Sequence, residues 1–127
     1  IEFAEIALQM ATASSVAVDI DGGLFYEKDL LNNHLNKEKH WWPQAEAMVG
    51  FFNAWEIGKK EIYLDRSWSS WEFIKAKIRD NKNGECFWGI HEDCILLSLP
   101  KAGFWKFPYH NARACIEIIK RIKSYEI

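Results

Sequence analysis

The chain comprises 127 residues with a net charge of −2, and its acidic and basic residues are interleaved along its whole length. This length suits one domain with a moderate core, and the mixed charge argues against nucleic acid or an anionic membrane as a partner. The three cysteines lack CxxC spacing and no apolar run reaches the length of a membrane span, so we expect a cytoplasmic protein without a disulfide framework, a zinc site or a membrane segment.

The first predicted helix covers residues 1–17, where apolar residues recur at helical spacing between glutamates and a glutamine. Gly22 and Gly23 end this helix, and residues 24–26 are predicted to form a short extended piece. Residues 29–39 are polar and rich in asparagine, so a surface loop is expected there. Because the chain begins with Ile rather than Met, we expect it to be part of a longer protein.

Two further helices are predicted over residues 42–57 and 60–80, joined by a short turn around Gly58 that favours antiparallel packing. The second helix carries a single predicted buried stripe: Trp41, Ala45, Met48, Phe52 and Trp55. The third is predicted to bury Leu64, Trp68, Trp71, Ile74 and Ile78. A turn with the sequence DNKNG ends it.

A small hairpin around His91-Glu92-Asp93 is predicted over residues 85–99, and a final helix over about 110–125. The residues expected on the buried side of that last helix are Cys115, Ile118, Ile119 and Ile122. The order of elements predicts an all-α array of helical hairpins with its longer loops at one end, where functional residues usually lie.

His110 follows Pro108 at the predicted start of the last helix. The positive end of the helix dipole favours a neutral imidazole, the form that a general base needs, although a histidine that merely caps the helix fits the spacing as well. Arg113, three residues later, lies on the same helical face. It is either a ligand for a sugar hydroxyl or an enediolate oxygen, or a surface residue that forms an ion pair.

Trp42 and Glu46 lie one helical turn apart, beside the predicted buried stripe. A flat indole covers the apolar face of a sugar ring and a carboxylate accepts its hydroxyl protons, so the pair suits a pyranose site. A second core tryptophan and a glutamate that complements the helix dipole explain the same spacing. His34, His40 and His91 are given no chemical role, and motifs for metal, nucleotide or serine-hydrolase chemistry are absent.

Five segments carry specific motifs in a fixed order: DIDGGLFYE, KHWWPQAEAMVGFFNAW, WEFIKAKIRD, NGECFWGI and KAGFWKFPYHNARACIEII. From Asp19 to Ile122 they resemble the C-terminal part of cellobiose 2-epimerases, in the N-acylglucosamine 2-epimerase superfamily. The resemblance implies a segment of an (α/α)6 barrel whose inner helices and loops form a sugar pocket. It also implies epimerisation at C2 of the reducing-end glucose of a β-1,4-disaccharide, with no metal or nucleotide cofactor.

In such enzymes two histidines act on opposite sides of C2 through an enediolate, and the resemblance makes His110 the second of them. It assigns the substrate contacts to Trp42, Glu46 and Trp105, and we add Trp41 and Arg113 as candidates. The family's other histidine belongs to a His-Asp-Ile-Glu motif that this chain lacks.

Three residues depart from the family pattern: Cys86 replaces an aromatic residue, Cys94 a turn glycine and Phe107 a cysteine. We expect Cys94 to be strained, because a turn with positive φ disfavours any residue with a Cβ. An incomplete barrel would expose an apolar face, which predicts self-association or a missing N-terminal barrel segment. The alternatives are an inactive remnant or carbohydrate-binding module, and a structural helical repeat whose aromatic residues are core.

Overall fold

The computed structural model describes residues 2–125. The elements in chain order are helix α1 (Glu2–Ser15), strands β1 (Glu27–Asp29), β2 (His34–Asn36) and β3 (Lys39–His40), helices α2 (Trp41–Gly58) and α3 (Glu61–Phe73), a π-helical turn (Ile74–Ile78), strand β4 (Gly89–Ile90) and helix α4 (Tyr109–Lys123). The predicted all-α architecture is confirmed. The ends of the helices lie within about two residues of the prediction when the π-helical turn is counted as the last part of the third helix; Ile1, predicted as helical, lies outside the described residues.

Helix α2 lies at the centre of the fold and is buried on more than one side. One core cluster joins it to α1 and α3 through Ala11, Ala47, Phe51, Ala54 and Tyr63. Another joins it to α4 through Ala45, Met48, Val49 and Ala114. The predicted single stripe is therefore too narrow, because α2 has neighbours on two faces, and Trp55 at its C-terminal end is only half-buried.

Contacts between the helices show their relative directions. The Ser67 hydroxyl donates to the Met48 carbonyl at 2.7 Å, and Phe51 stacks on Tyr63, so residue numbers fall along α3 as they rise along α2. The predicted antiparallel pair is thus confirmed. Helix α4 instead runs parallel to α2, because its earlier and later residues contact earlier and later residues of α2, respectively. The N-terminal ends of α2 and α4 therefore lie together, at the end that carries the long loops.

Buried polar side chains hold these loops against the helices. The Gln44 amide, fully buried in α2, both donates to the Leu24 carbonyl and accepts from the Leu24 N–H. The buried Lys39 ammonium donates to Asp19 at 2.6 Å and to Asp21 at 2.7 Å. The bond from Lys39 keeps the pKa of Asp19 below its ordinary value, so the carboxylate stays charged. The loop before α2 is fixed by these bonds.

The prediction of a loop over residues 29–39 is wrong. Strands β1 and β2 form an antiparallel hairpin there, in which Glu27 pairs with Asn36 and Asp29 with His34. The Asp29 carboxylate closes the turn by accepting from the backbone N–H groups of residues 31 and 32. The predicted extended piece also lies slightly too early, because Leu24 forms only an isolated bridge with Val18. The sequence did not predict this hairpin because neither of its faces is buried. Its strands therefore lack the alternation of apolar and polar residues that identifies a strand.

The turns of the second half follow the sequence more closely. Gly84 has a φ of 76° in the predicted DNKNG turn, and Cys94 has a φ of 65°, which confirms the expected positive φ at that cysteine. The predicted hairpin around residues 91–93 is reduced to a bridge between Ile90 and Leu96. Strand β4 pairs instead with β3, so its main partner comes from the segment just before α2.

The predicted inward faces of α3 and α4 are partly wrong. Trp68 is 61% exposed, and Cys115, Ile119 and Ile122 are exposed as well. These side chains surround an open apolar cavity of about 400 Å³, together with Met48, Phe52, Leu64, Trp71 and Ile118. We call this surface the apolar face. Helical spacing predicted that these apolar residues share one face of each helix. It could not show that the described part of the chain leaves that face uncovered.

Gly23 offers a test of the loop packing. A Cβ at this position would lie 2.7 Å from the Phe73 ring and 2.8 Å from the Lys39 side chain, both of which are buried. We expect Gly23→Ala to lower the free energy of unfolding by about 1–3 kcal/mol, as overpacking typically does. Urea unfolding followed by circular dichroism measures it.

Gly50→Ala is the matched control, because a Cβ at Gly50 meets nothing within 4 Å and the residue lies inside α2. Alanine at a helix interior is favoured over glycine, so we expect this variant to gain about 0.5–1 kcal/mol. Equal effects of the two substitutions would contradict the packing that we describe around Gly23.

Candidate active site

The site lies where the N-terminal ends of α2 and α4 meet. Pro108 occupies the N-cap position of α4, so Tyr109 begins the helix and His110 follows in its first turn, as predicted. His40 occupies the N-cap position of α2 but makes no capping hydrogen bond through its side chain. Its Nε2 instead lies 2.8 Å from a carboxylate oxygen of Glu38.

Glu46 connects the two helices through both of its carboxylate oxygens. Its Oε1 lies 2.8 Å from His110 Nδ1, and its Oε2 accepts a hydrogen bond from the Arg113 guanidinium. The three side chains are each about one-third exposed, so they lie at the rim of the structure rather than in its core. The structure thus brings together three residues that were predicted for the site on separate grounds.

The electrostatics of this group favour an ionised carboxylate. Partial burial alone raises the pKa of Glu46, but the hydrogen bonds from His110 and Arg113 offset this, and the net result is a pKa below the ordinary value. The same pairing with Glu46 raises the pKa of Arg113. A negative charge on Glu46 next to a positive charge on Arg113 is the state expected near neutral pH.

A cluster of aromatic side chains lies beside the imidazole of His110. The Trp42 ring lies 5.8 Å from the His110 ring, and Trp42 is 38% exposed. Tyr26 meets Trp42 edge to face at 6.5 Å, and His40 stacks on Tyr26 at 4.0 Å. Tyr26 was missed in the sequence because it comes from the distant loop after α1, and no local pattern links it to Trp42.

An open groove between α1 and α2 extends from this cluster. It has a volume of about 520 Å³, and Trp42 and Glu46 belong to its lining together with Met10, Ser14 and Phe51. Its mixture of aromatic, apolar and carboxylate groups suits a ligand with both apolar and hydroxyl-bearing faces.

The other two predicted tryptophans lie elsewhere. Trp105 is 79% exposed and contacts the neighbouring Phe104, whereas the aromatic rings that contact His110 within residues 2–125 are those of Trp42 and Tyr109. Trp41 is 4% exposed and packs against Trp88 in the core, so a ligand cannot stack on it in this structure. The prediction that Trp41 contacts the substrate is therefore wrong for this structure. Adjacent residues of a helix face different directions, so Trp41 points into the core where Trp42 points outward.

Lys106 is a buried residue that the sequence analysis did not single out. Its ammonium lies 4.7 Å from the centre of the Trp41 ring and 3.3 Å from a Glu85 oxygen, and its side chain is fully buried. Asn111 donates to the same Glu85 oxygen at 2.9 Å. Glu85 therefore binds one residue of the loop before α4 and one residue in the first turn of α4, and His110 lies between them in the chain.

The remaining histidines are outside this cluster. His34 is exposed in β2, and His91 is exposed in the turn after β4, where its Nδ1 lies 3.3 Å from Glu38. Within residues 2–125, no group of three or more histidine, cysteine or acidic side chains is arranged to hold a metal ion. None of the helices in the same range has the length and hydropathy needed to cross a membrane.

Comparison with known proteins identifies the family. The model that describes N-acylglucosamine 2-epimerase (GlcNAc 2-epimerase) matches residues 1–114. The chain belongs to the N-acylglucosamine 2-epimerase family. Among relatives of known name in the family, cellobiose 2-epimerase of Bacteroides fragilis is 41% identical over 119 residues, which are 93% of this chain and 30% of that protein. Cellobiose 2-epimerase of Dictyoglomus turgidum is 39% identical and covers 95% of this chain and 31% of its own length.

Solved structures agree with this assignment. A sugar epimerase from a ruminal bacterium superimposes with a TM-score of 0.88 at 37% identity, covering 94% of this chain and 31% of that structure. Cellobiose 2-epimerase from Bacillus thermoamylovorans gives a TM-score of 0.84 at 37% identity, covering 90% of this chain and 29% of that structure. The expected relation to (α/α)6 barrels is thereby confirmed for this chain, which spans about a third of the length of its relatives.

The lowered pKa of Glu46 makes a prediction about stability and pH. A carboxylate whose pKa is lower in the folded than in the unfolded protein stabilises the fold. For Glu46 this stabilisation is fully present at pH values above its ordinary pKa of 4.5, and it is lost as the pH falls through the lowered pKa of the folded state. We therefore expect Glu46→Gln to reduce the free energy of unfolding at about pH 7 and to have a smaller effect at about pH 3.5. Urea unfolding at the two pH values measures this difference.

The control is Glu27→Gln, on the exposed hairpin, whose unfolding should follow that of the parent protein at both pH values. An effect of Glu46→Gln that is equal at the two pH values would contradict the proposed charge on Glu46.

Proposed function

We propose that this chain is the part of a sugar 2-epimerase that carries one of its two catalytic histidines, His110. The observation that supports this most is the contact between His110 and Glu46 beside Trp42, at the meeting point of α2 and α4. A base, a carboxylate that binds it and an aromatic surface for a sugar ring are the groups that such a site requires.

The proposed reaction exchanges the proton on C2 of a ring-opened reducing-end sugar. One base removes the C2 proton, the electron pair moves into the carbonyl to give an enediolate, and a second base returns a proton to the other face of C2. His110 acts as one of these bases. The other lies outside this chain, because its sequence contains no His-Asp-Ile-Glu motif.

The proposed substrate is a β-1,4-linked disaccharide such as cellobiose, as the names of the relatives suggest. Trp42 contributes a half-exposed ring for one face of the sugar, and Trp105 a more exposed ring on the loop before α4. Exposed indoles are the side chains that cover the apolar face of a pyranose.

A carbohydrate-binding remnant is the second candidate. It is favoured by the same exposed tryptophans together with the absence of a second catalytic motif, since stacking requires no base. The two candidates differ in whether His110 is needed for proton exchange.

A chimera separates these candidates. This chain would replace the matching segment of the Bacteroides fragilis cellobiose 2-epimerase, and deuterium incorporation at C2 of cellobiose would be followed in deuterated water. We expect the chimera to exchange the proton, and His110→Ala to slow the exchange by about 10²–10⁴-fold, the usual contribution of a general base. The isolated chain, with one base, should form no mannose epimer, because inversion at C2 needs a proton returned on the opposite face.

His34→Ala in the same chimera is the control and should retain the exchange rate, since His34 is exposed on the β1–β2 hairpin. Formation of the mannose epimer by the isolated chain would contradict the assignment of the second base to another segment. A folded chimera that binds cellobiose but exchanges no proton would favour the binding remnant.

We also propose that the apolar face packs against the rest of a barrel in a longer protein. This surface lies on α3 and α4 and exposes Trp68 and Ile119, and the relatives are about three times as long as this chain. An uncovered apolar surface of this kind is unusual in a monomer. The isolated chain should therefore associate with itself through this surface.

Light scattering and binding of a hydrophobic dye test this association. We expect the isolated chain to form dimers or larger species, and Trp68→Lys with Ile119→Lys to shift it towards a monomer. Leu31→Lys is the control, because Leu31 is exposed on the β1–β2 hairpin, away from this surface. A parent chain that stays monomeric and binds no dye would rule out the proposed role of the apolar face.

A further inference from the structure

We infer that Glu46 and Arg113 act as a positioning pair that selects one tautomer of His110, with the proton on Nδ1 and a free electron pair on Nε2. The catalytic meaning of this inference rests on the proposed function, whereas the tautomer itself is a property of the isolated chain. Arg113 then acts through Glu46, which fits the ion-pair alternative of the sequence analysis rather than a direct contact with the sugar.

The two oxygens of Glu46 have different partners, and this sets the direction of the hydrogen bonds. Oε2 accepts from the Arg113 guanidinium, which is always a donor, and Oε1 lies 2.8 Å from His110 Nδ1. An ionised carboxylate can only accept, so the bond exists only when Nδ1 carries the proton. In the neutral imidazole, Nε2 is then the nitrogen left to accept a proton from a substrate.

Arg113 keeps the carboxylate in the state that this selection requires. Its positive charge favours the ionised form of Glu46, and its bond to Oε2 leaves Oε1 facing the imidazole. Arg113 is itself restrained, because its guanidinium lies 6.0 Å from the centre of the Tyr109 ring. Both His110 and Arg113 belong to the first two turns of α4, so one carboxylate from α2 orients two side chains of the same helix.

A similar ion pair farther along the same helices provides the matched comparison. Arg121 of α4 donates to Glu56 of α2, but no histidine contacts Glu56 among the described residues. Both glutamates therefore tie α4 to α2, and only Glu46 touches an imidazole. A purely structural role predicts similar consequences for the loss of either carboxylate, whereas tautomer selection predicts an effect on His110 from Glu46 alone.

Nitrogen NMR of the chain with 15N-labelled histidine tests this directly. Two-bond couplings distinguish a protonated ring nitrogen from one with a free electron pair, and His110→Gln identifies the His110 signals among the four histidines. With the imidazole neutral, we expect roughly a tenfold excess of the Nδ1–H tautomer in the parent chain, because hydrogen bonds to charged groups are the stronger ones.

Glu46→Gln should abolish this excess, since an amide can either donate to Nδ1 or accept from it. Glu56→Gln should leave the tautomer ratio unchanged, and circular dichroism would verify that both variants are folded. The inference is overturned if the Nε2–H tautomer predominates in the parent, or if the two variants give the same ratio. No sugar is present in this experiment, so its outcome is independent of the exchange measured with the chimera.

Discussion

Helices α2 and α4 run in the same direction side by side, and the candidate site depends on this arrangement. Two adjacent parallel helices cannot be joined by a short turn, so α3 returns the chain along α2 before the long connection reaches α4. The alternation places the N-terminal turns of α2 and α4 at one end, where Glu46 and His110 meet at 2.8 Å. The site therefore follows from the directions of the helices as much as from its own side chains.

The loops at this end are held by polar groups that would be costly to bury alone. Lys39 and Lys106 are both buried lysines, and each has at least one carboxylate partner and an aromatic ring close to its ammonium. Gln44 performs a similar task by satisfying both backbone groups of Leu24. Such groups are stable inside a protein only when they are paired, so they specify a definite loop conformation. In this chain they fix the segments that carry Trp42 and His110.

Two features of the chain are explained together by its length relative to the family. The chain spans about a third of the length of its relatives. The two features are the exposed apolar face on α3 and α4, and the presence of one candidate base where the proposed reaction needs two. The proposed function accounts for both, because the rest of a barrel would cover the apolar face and supply the second histidine. The pair formed by Glu46 and Arg113 is complete within the chain, and so His110 is already oriented without the remainder.

The sequence by itself determined the four helices, the positive φ at Cys94, the start of α4 after Pro108 and the family, because helical spacing, turn residues and specific motifs are local signals. It did not reveal the β1–β2 hairpin, whose polar strands have no buried face. Only the tertiary structure decided that Trp68 is exposed although it was predicted to face inward, and that Glu46 is the ion-pair partner of Arg113. The physical reason is that burial and pairing depend on which distant segment lies opposite a side chain, and helical periodicity carries no information about that neighbour.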